Sequence, residues 1–284
     1  MHTGQAKPRR RGARVPAAAH ESPGRPAITG PTALIGGGAS GIGYAIAARL
    51  APAHRVVITG RRAGPLDAAA IRLKETTGAT VGTLVSDVAA PDSAAAILDA
   101  MTAQYGPLGV VVLNAGGPPP GRILDVADDA WRAATELLLL GPLRLARLVL
   151  PAMASRGFGR LVFVTSTAVR QPQPDLAISV VLRAGVTAAA KLLSLEYAAA
   201  GVTVNCVAPG ATGTQRRRDV LAGRAQRTGR PVADLDEEDT REVPAGRPGT
   251  PDEIAAAVAF LASADAGYIN GTVLTVDGGR TETF

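Results

Sequence analysis

The segment Gly36-Gly37-Gly38-Ala39-Ser40-Gly41-Ile42-Gly43 constrains this chain more than any other. An apolar, strand-like stretch (Thr32–Ile35) runs into it, and a helical pattern (Ile42–Leu50) leaves it at once. Glycine lets the backbone turn sharply and lets a ligand come up against the amides that open a helix. A glycine run alone says little. Between a strand and a helix, it is the arrangement that seats a diphosphate.

The rest of the chain repeats that strand–helix unit. Further strand-like runs are Arg55–Thr59, Thr80–Ser86, Gly109–Leu113, Leu161–Thr165, Val202–Val207 and Thr272–Val276. Most are rich in Val, Ile and Leu without polar alternation, as in parallel strands covered on both faces. Helical patterns fill the intervals at Pro65–Thr77, Pro91–Tyr105, Val126–Ser155, Leu176–Ala200 and Pro251–Ala262. Pro91 and Pro251 suit first-turn positions, and Thr250, Asp252 and Glu253 strengthen the last helix start. The pattern predicts an α/β fold: one Rossmann-type domain over residues 31–284, a doubly wound parallel sheet with helices on both faces. Ligands bind such sheets at the carboxyl ends of the strands. The interval from Gly210 to Gly249 is long, polar and charged, so residues 211–249 are expected to form a lid over that edge, with disorder as the alternative. Its charges (Arg216, Arg217, Arg218, Asp219, Asp234, Asp236, Glu237 and Glu238) read mostly as a solvated face.

Residues 1–30 are expected to be a disordered basic tail. They carry Lys7, Arg9, Arg10, Arg11, Arg14 and Arg25 against Glu21 alone, so five of the six net positive charges sit there and the domain is nearly neutral. Such a tail is more often solvated than a nucleic-acid contact, and no nucleic-acid partner is expected. No uninterrupted apolar run reaches the roughly 18 residues that span a bilayer, the candidate around Leu137–Leu150 being broken by Gly141, Pro142 and two arginines, so no membrane partner is expected. Cys206 reads as a small core residue. No targeting segment is apparent, which makes the cytoplasm the expected compartment, and no metal site is expected.

The strand ends supply the other candidates. The second strand ends at Thr59-Gly60-Arg61-Arg62, where a site for the unphosphorylated dinucleotide would place an acidic residue on the ribose. Two arginines suit a 2′-phosphate instead, so the expected cofactor is NADP(H). Asp87 and Val88 after the third strand, and Asn114, Ala115 and Gly116 after the fourth, lie where adenine and ribose must run. With Gly37, Ser40, Gly41, Ile42 and Gly43 they form the expected cofactor cradle.

Taken together, these residues resemble the short-chain dehydrogenase/reductase family, most closely its β-ketoacyl-carrier-protein-reductase-like branch. The glycine run is similar to its first fingerprint, with Gly36 in place of the usual Thr. Asn114-Ala115-Gly116 matches its Asn-Ala-Gly element, with Leu113 where another Asn is common. Pro209-Gly210 followed by Thr214 resembles a Pro-Gly element whose Thr contacts the nicotinamide carboxamide. Gly246 to Glu253 and Gly271 to Gly279 are similar to its last helix and strand. The resemblance covers roughly Pro31 to Thr281, and it implies a homodimer or homotetramer acting on a small-molecule substrate.

The resemblance also exposes a departure. The family uses a Tyr as proton donor, a Lys four residues later, a Ser that orients the carbonyl and an Asn for a water relay. Ser166 matches the serine. Ser179 falls at the tyrosine position, Arg183 at the lysine and Leu138, seven residues after Trp131, at the asparagine. Tyr44, Tyr105, Tyr197 and Tyr268 sit in segments that read as packing, so none replaces the missing phenol. The candidate catalytic residues are therefore Ser166, Ser179 and Arg183. Arg183 is a fixed cation that stabilises a developing alkoxide but is no acid at neutral pH. Three readings stay open: an NADP(H)-dependent oxidoreductase reducing a carbonyl, imine or conjugated system; a non-redox isomerase, cyclase or dehydratase; and a nucleotide-binding regulator without chemistry.

Overall fold

The computed structural model describes residues 30–283; all of the expected tail except Gly30 lies outside them. Seven parallel strands form one sheet in the order β3-β2-β1-β4-β5-β6-β7. They are β1 (Thr32–Gly36), β2 (Val56–Gly60), β3 (Gly82–Val85), β4 (Leu108–Leu113), β5 (Gly159–Val164), β6 (Val202–Pro209) and β7 (Val273–Val276). Strand order reverses between β1 and β4, which opens a crevice at their carboxyl ends.

Successive strand residues point to opposite faces, and each face has its own helical cover. Ile35, Ile58, Val112 and Val164 pack with α1 (Gly41–Leu50), α2 (Ala63–Thr77) and α9 (Pro251–Ala262) through Ile46, Leu50, Leu66, Leu73, Ile254 and Val258. Leu34, Val111, Leu161 and Phe163 face α3 (Ser93–Gln104), α5 (Gly141–Ala154) and α6 (Ala177–Tyr197) through Ile97, Met101, Leu145, Val149 and Val186. Helix α9 starts as its sequence implies: Thr250 accepts from the Glu253 amide, and the Glu253 carboxylate accepts from the Thr250 amide. Pro91 precedes α3 by two residues and lies outside its first turn, because that helix begins at Ser93.

The expected helix Val126–Ser155 is divided. Helix α4 (Asp128–Thr135) passes through a π-turn at Glu136–Leu140 before α5 begins at Gly141. The wider turn brings the chain to Pro142, which lacks an amide hydrogen, without ending the helix. Gly141 is required here, since a Cβ would collide with the Val88 carbonyl oxygen. The combined helix Asp128–Ala154 and the helix Ala177–Ala200 are long and apolar enough to span a membrane by length and composition, although arginine or lysine interrupts the apolar run in each. In the fold, their buried faces pack on the sheet.

Residues 211–249 are ordered, and their charges are not merely solvated. They contain α7 (Gln215–Thr228), capped by Thr214, and α8 (Val232–Arg241). Arg217 binds Asp236, Asp239 and Thr240, and Arg280 binds Asp239 and Glu242. That network replaces the apolar stripe that sequence inspection looks for, so these helices carried no periodic signal. The Gly213 amide donates to the Gly249 carbonyl oxygen and the Gly249 amide to that of Ala211, both at 2.8 Å, which closes the base of the segment on itself; just before it, the Gly210 amide donates to the Val276 carbonyl oxygen of the edge strand β7 at 3.0 Å.

Candidate functional site

The glycine loop, the carboxyl ends of β1, β2, β4, β5 and β6, the start of α6 and helix α7 enclose a cleft of about 1050 Å³. This exceeds the roughly 300–1,000 Å³ of ordinary small-molecule sites.

At one end, Gly37 and Gly41 adopt φ values of 61° and 54°, which favour glycine. The turn they make brings the amides opening α1 to the cleft wall, and no acidic side chain lies in that first turn. Asn114 donates from Nδ2 to the Gly36 carbonyl oxygen at 3.0 Å and ties the end of β4 to the loop. Its amide is therefore partly committed to holding the loop's shape. Of the expected cradle, Gly37, Ser40, Gly41, Ile42, Asn114, Ala115, Gly116, Asp87 and Val88 line the cleft. Gly43 does not. It lies behind the loop, where a Cβ would collide with the Gly37 carbonyl oxygen, so its function is packing. Pro209, Gly210 and Thr214 also line the cleft, and the Thr214 methyl sits beside Gly41. Arg61 and Arg62 are exposed at the end of β2 and line the rim. Tyr44, in α1, packs against the core, as expected, and also forms part of the cleft wall, with the Arg72 guanidinium 5.3 Å from its ring centroid. Tyr268 is wholly exposed and packs against nothing.

The other end gathers Ser166, Ser179 and Arg183. Ser166 follows β5 and caps a single turn, its Oγ accepting from the Ala168 amide at 3.2 Å. Ser179 is buried in the first turn of α6, and one helical turn later Arg183 reaches back to it. Arg183 Nε donates to Ser179 Oγ at 3.2 Å, and Nη1 donates to the Val164 carbonyl oxygen at 2.6 Å. One guanidinium thus fixes both the serine hydroxyl and the strand end that presents Ser166. Burial, and then the nearby positive charge of Arg216, push the Arg183 pKa down to about 10, so it remains a cation at neutral pH. Leu138 lies in the π-turn and, with Leu137, forms an apolar wall here.

The sequence pattern places Arg216 among the solvated charges of residues 211–249. Instead, it leaves the first turn of α7, crosses the cleft and donates from Nη2 to the Pro118 carbonyl oxygen at 2.5 Å. Its guanidinium lies against Gly117, where a Cβ would meet Nε at 2.5 Å. The run Gln215-Arg216-Arg217-Arg218 after a capping threonine was the available signal. Helical periodicity sends neighbouring residues of such a run in different directions.

Residues 37–281 match the family model described as enoyl-(acyl carrier protein) reductase. The chain is 36% identical over 250 residues to cis-4-hydroxycyclohexanecarboxylate dehydrogenase of Sinomonas cyclohexanicum, covering 88% of this chain and 96% of that protein. It is 34% identical over 250 residues to the 3-oxoacyl-(acyl-carrier-protein) reductase FabG of Escherichia coli strain K12, covering 88% and 97%. Among solved structures, an actinorhodin polyketide ketoreductase variant with NADPH superposes with a TM-score of 0.85 at 33% identity, covering 89% of this chain and 98% of that one. The L-sorbose reductase of Gluconobacter frateurii, complexed with NADPH and L-sorbose, superposes with a TM-score of 0.84 at 32% identity, covering 90% and 98%.

Proposed function

This chain belongs to the short-chain dehydrogenase/reductase family, and we propose that it is an NADP(H)-dependent oxidoreductase acting on a carbonyl, imine or conjugated group of a small molecule. The observation that carries this reading is the Arg183–Ser179 hydrogen bond, in the same cleft as the glycine loop and Ser166. Two relatives named above are described with NADPH bound.

The cleft fits that cofactor. The positive-φ glycines leave room for a diphosphate against the α1 amides. Arg61 and Arg62 offer planar donors for a 2′-phosphate at the adenosine end. A bound reduced nicotinamide supplies hydride. The protein's own residues must then orient the acceptor and stabilise charge on its heteroatom. Ser179 Oγ accepts from Arg183, which leaves its single hydrogen to donate into the cleft. Ser166 Oγ accepts from the Ala168 amide and keeps its hydrogen in the same way. Two hydroxyl donors backed by a fixed cation stabilise developing negative charge on oxygen. A serine hydroxyl is too weak an acid to replace a phenol, and Arg183 keeps its proton, so water or the substrate completes the proton transfer. Losing a matched general acid forfeits about 10²–10⁴-fold in rate, which favours activated acceptors such as iminium ions or enones. Helix α7 and the clamped segment around it act as the lid. Leu148, Val181, Leu192 and Leu195 are exposed on α5 and α6 and support a homodimer or homotetramer.

Purified protein assayed for NADPH oxidation over a panel of ketones, imines and enones tests the reading. Turnover that falls at least tenfold in Ser166→Ala and Arg183→Met is the expected result. NADPH binding without turnover of any member refutes the oxidoreductase reading. Product formed with no net change in NADPH assigns the cleft to isomerisation, cyclisation or dehydration.

A further inference from the structure

Several arginines around the cleft have carboxylate partners. Arg217 and Arg280 are paired with Asp236, Asp239 and Glu242, and Arg224 and Arg227 with Asp175. Arg183 and Arg216 pair with no carboxylate among the described residues. Each spends part of its guanidinium on oxygen atoms of the protein: Arg183 on Ser179 and Val164, Arg216 on Pro118. Nη2 of Arg183 and both Nε and Nη1 of Arg216 have no acceptor among the described residues.

The two guanidiniums are close enough for Arg216 to lower the pKa of Arg183, and burial lowers both. Holding two desolvated like charges together is unfavourable unless something of opposite charge joins them. Asp219 offsets Arg216 in part. Among the described residues, Arg183 has no carboxylate against it and Arg216 makes no ion pair, so the two guanidiniums leave uncompensated positive charge facing the cleft. Around it, Leu137, Leu138, Leu176 and Val186 line an apolar wall. The site thus presents unpaired guanidinium donors beside an apolar surface.

We infer that the substrate of this cleft is a carboxylate-bearing compound with a compact apolar body, its carboxylate held between Arg183 and Arg216. An anion there fills the donors that Nη2 of Arg183 and Nε and Nη1 of Arg216 leave open. Planar guanidinium edges match the two oxygens of a carboxylate. The inference deepens the oxidoreductase reading: the hydroxyls of Ser179 and Ser166 stay with the reacting oxygen, and the open donors of Arg183 and Arg216 hold the carboxylate of the same molecule. In that arrangement Arg216 is a specificity residue, contributed by the lid.

Isothermal titration with benzoate, benzamide and phenyl phosphate, with and without saturating NADPH, tests this without requiring turnover. Benzoate is expected to bind roughly 10–100-fold more tightly than benzamide, the range that charge-assisted bonds give. Arg216→Gln is expected to reduce that preference at least tenfold while moving the NADPH dissociation constant less than threefold. Equal binding of benzoate and benzamide overturns the inference, as does phenyl phosphate binding more tightly than benzoate. Arg216→Gln weakening NADPH while sparing benzoate also overturns it, since Arg216 then serves the nucleotide. NADPH binding with no benzoate binding sinks the carboxylate site and leaves the oxidoreductase reading intact. Arg216-dependent benzoate binding in a protein that binds no NADPH supports the site and sinks that reading instead.

Discussion

Replacing Arg61 and Arg62 together by alanine separates the two forms of the nicotinamide cofactor. Both side chains line the rim at the end of β2, and no carboxylate pairs with either among the described residues. Neither is committed elsewhere, so both are available to a 2′-phosphate. A hydrogen bond to a charged group contributes about 1.5–3 kcal/mol. These side chains are exposed, which brings each contact toward the lower bound, and the pair contributes about 3 kcal/mol. At 1.4 kcal/mol per decade, the NADPH dissociation constant rises about 100-fold. NADH lacks the 2′-phosphate, and its dissociation constant should move less than threefold. Calorimetric titration of both nucleotides into wild type and the double variant measures the difference, and a salt series should show a steeper slope for NADPH in wild type. Equal weakening of NADPH and NADH refutes the reasoning, because the arginines would then act on the loop and not on the phosphate. Arg61→Glu extends the test by placing a carboxylate where ribose hydroxyls lie, and should improve NADH relative to NADPH.

The remaining predictions address the reacting end and the scaffold. Arg183→Met should lower kcat about 10²-fold, as loss of a preorganised charge does elsewhere, with NADPH affinity nearly unchanged by titration. Arg183 is charged below its depressed pKa and neutral above it, so the wild-type rate should hold through neutral pH and fall as pH rises through about 10. Arg216→Gln removes a like charge and should carry that fall to higher pH; a profile unchanged by this substitution would count against the coupling. Gly43→Ala drives a methyl into the Gly37 carbonyl oxygen, and should abolish the thermal shift produced by NADPH even where the protein still folds by circular dichroism. Thr250→Ala removes one arm of the α9 capping box, and should lower the melting temperature by about 2–4 °C without affecting nucleotide binding. Arg247 and the Thr250 amide hold the Glu253 carboxyl at about 2, so its stabilisation is present above the ordinary carboxylate range and is lost as pH falls through about 2. The loss builds from the ordinary carboxylate range downward, so urea unfolding at pH 6 and pH 3 should show it well under way at pH 3.

The parallel sheet and the glycine-loop end of the cleft were legible in the sequence because their signals are local. Apolar runs such as Val110–Val112 and Leu161–Val164 report burial on both faces, and each lies within a single strand. The glycine loop carries its own backbone conformation, so Gly37 and Gly41 announced themselves without reference to distant residues. Ser166, Ser179 and Arg183 were also named in advance, but only from their order in a familiar pattern. That one guanidinium joins Ser179 to the end of β5 depended on folding, since Arg183 and Val164 are 19 residues apart.

Tertiary structure alone decided how the charges pair. Arg216 and Arg217 are adjacent in sequence, yet one crosses to Pro118, 98 residues away, and the other binds Asp236 and Asp239. Nothing in their identity or spacing distinguishes them. The direction each takes is set by the rotation of α7 on the sheet edge, and its partners come from segments that meet only in the folded chain. The same holds for α7 and α8, which ion pairs hold in place of an apolar stripe. Hydrophobic periodicity is written along the chain, but electrostatic complementarity is written between distant parts of it, and only the assembled fold brings those parts within reach.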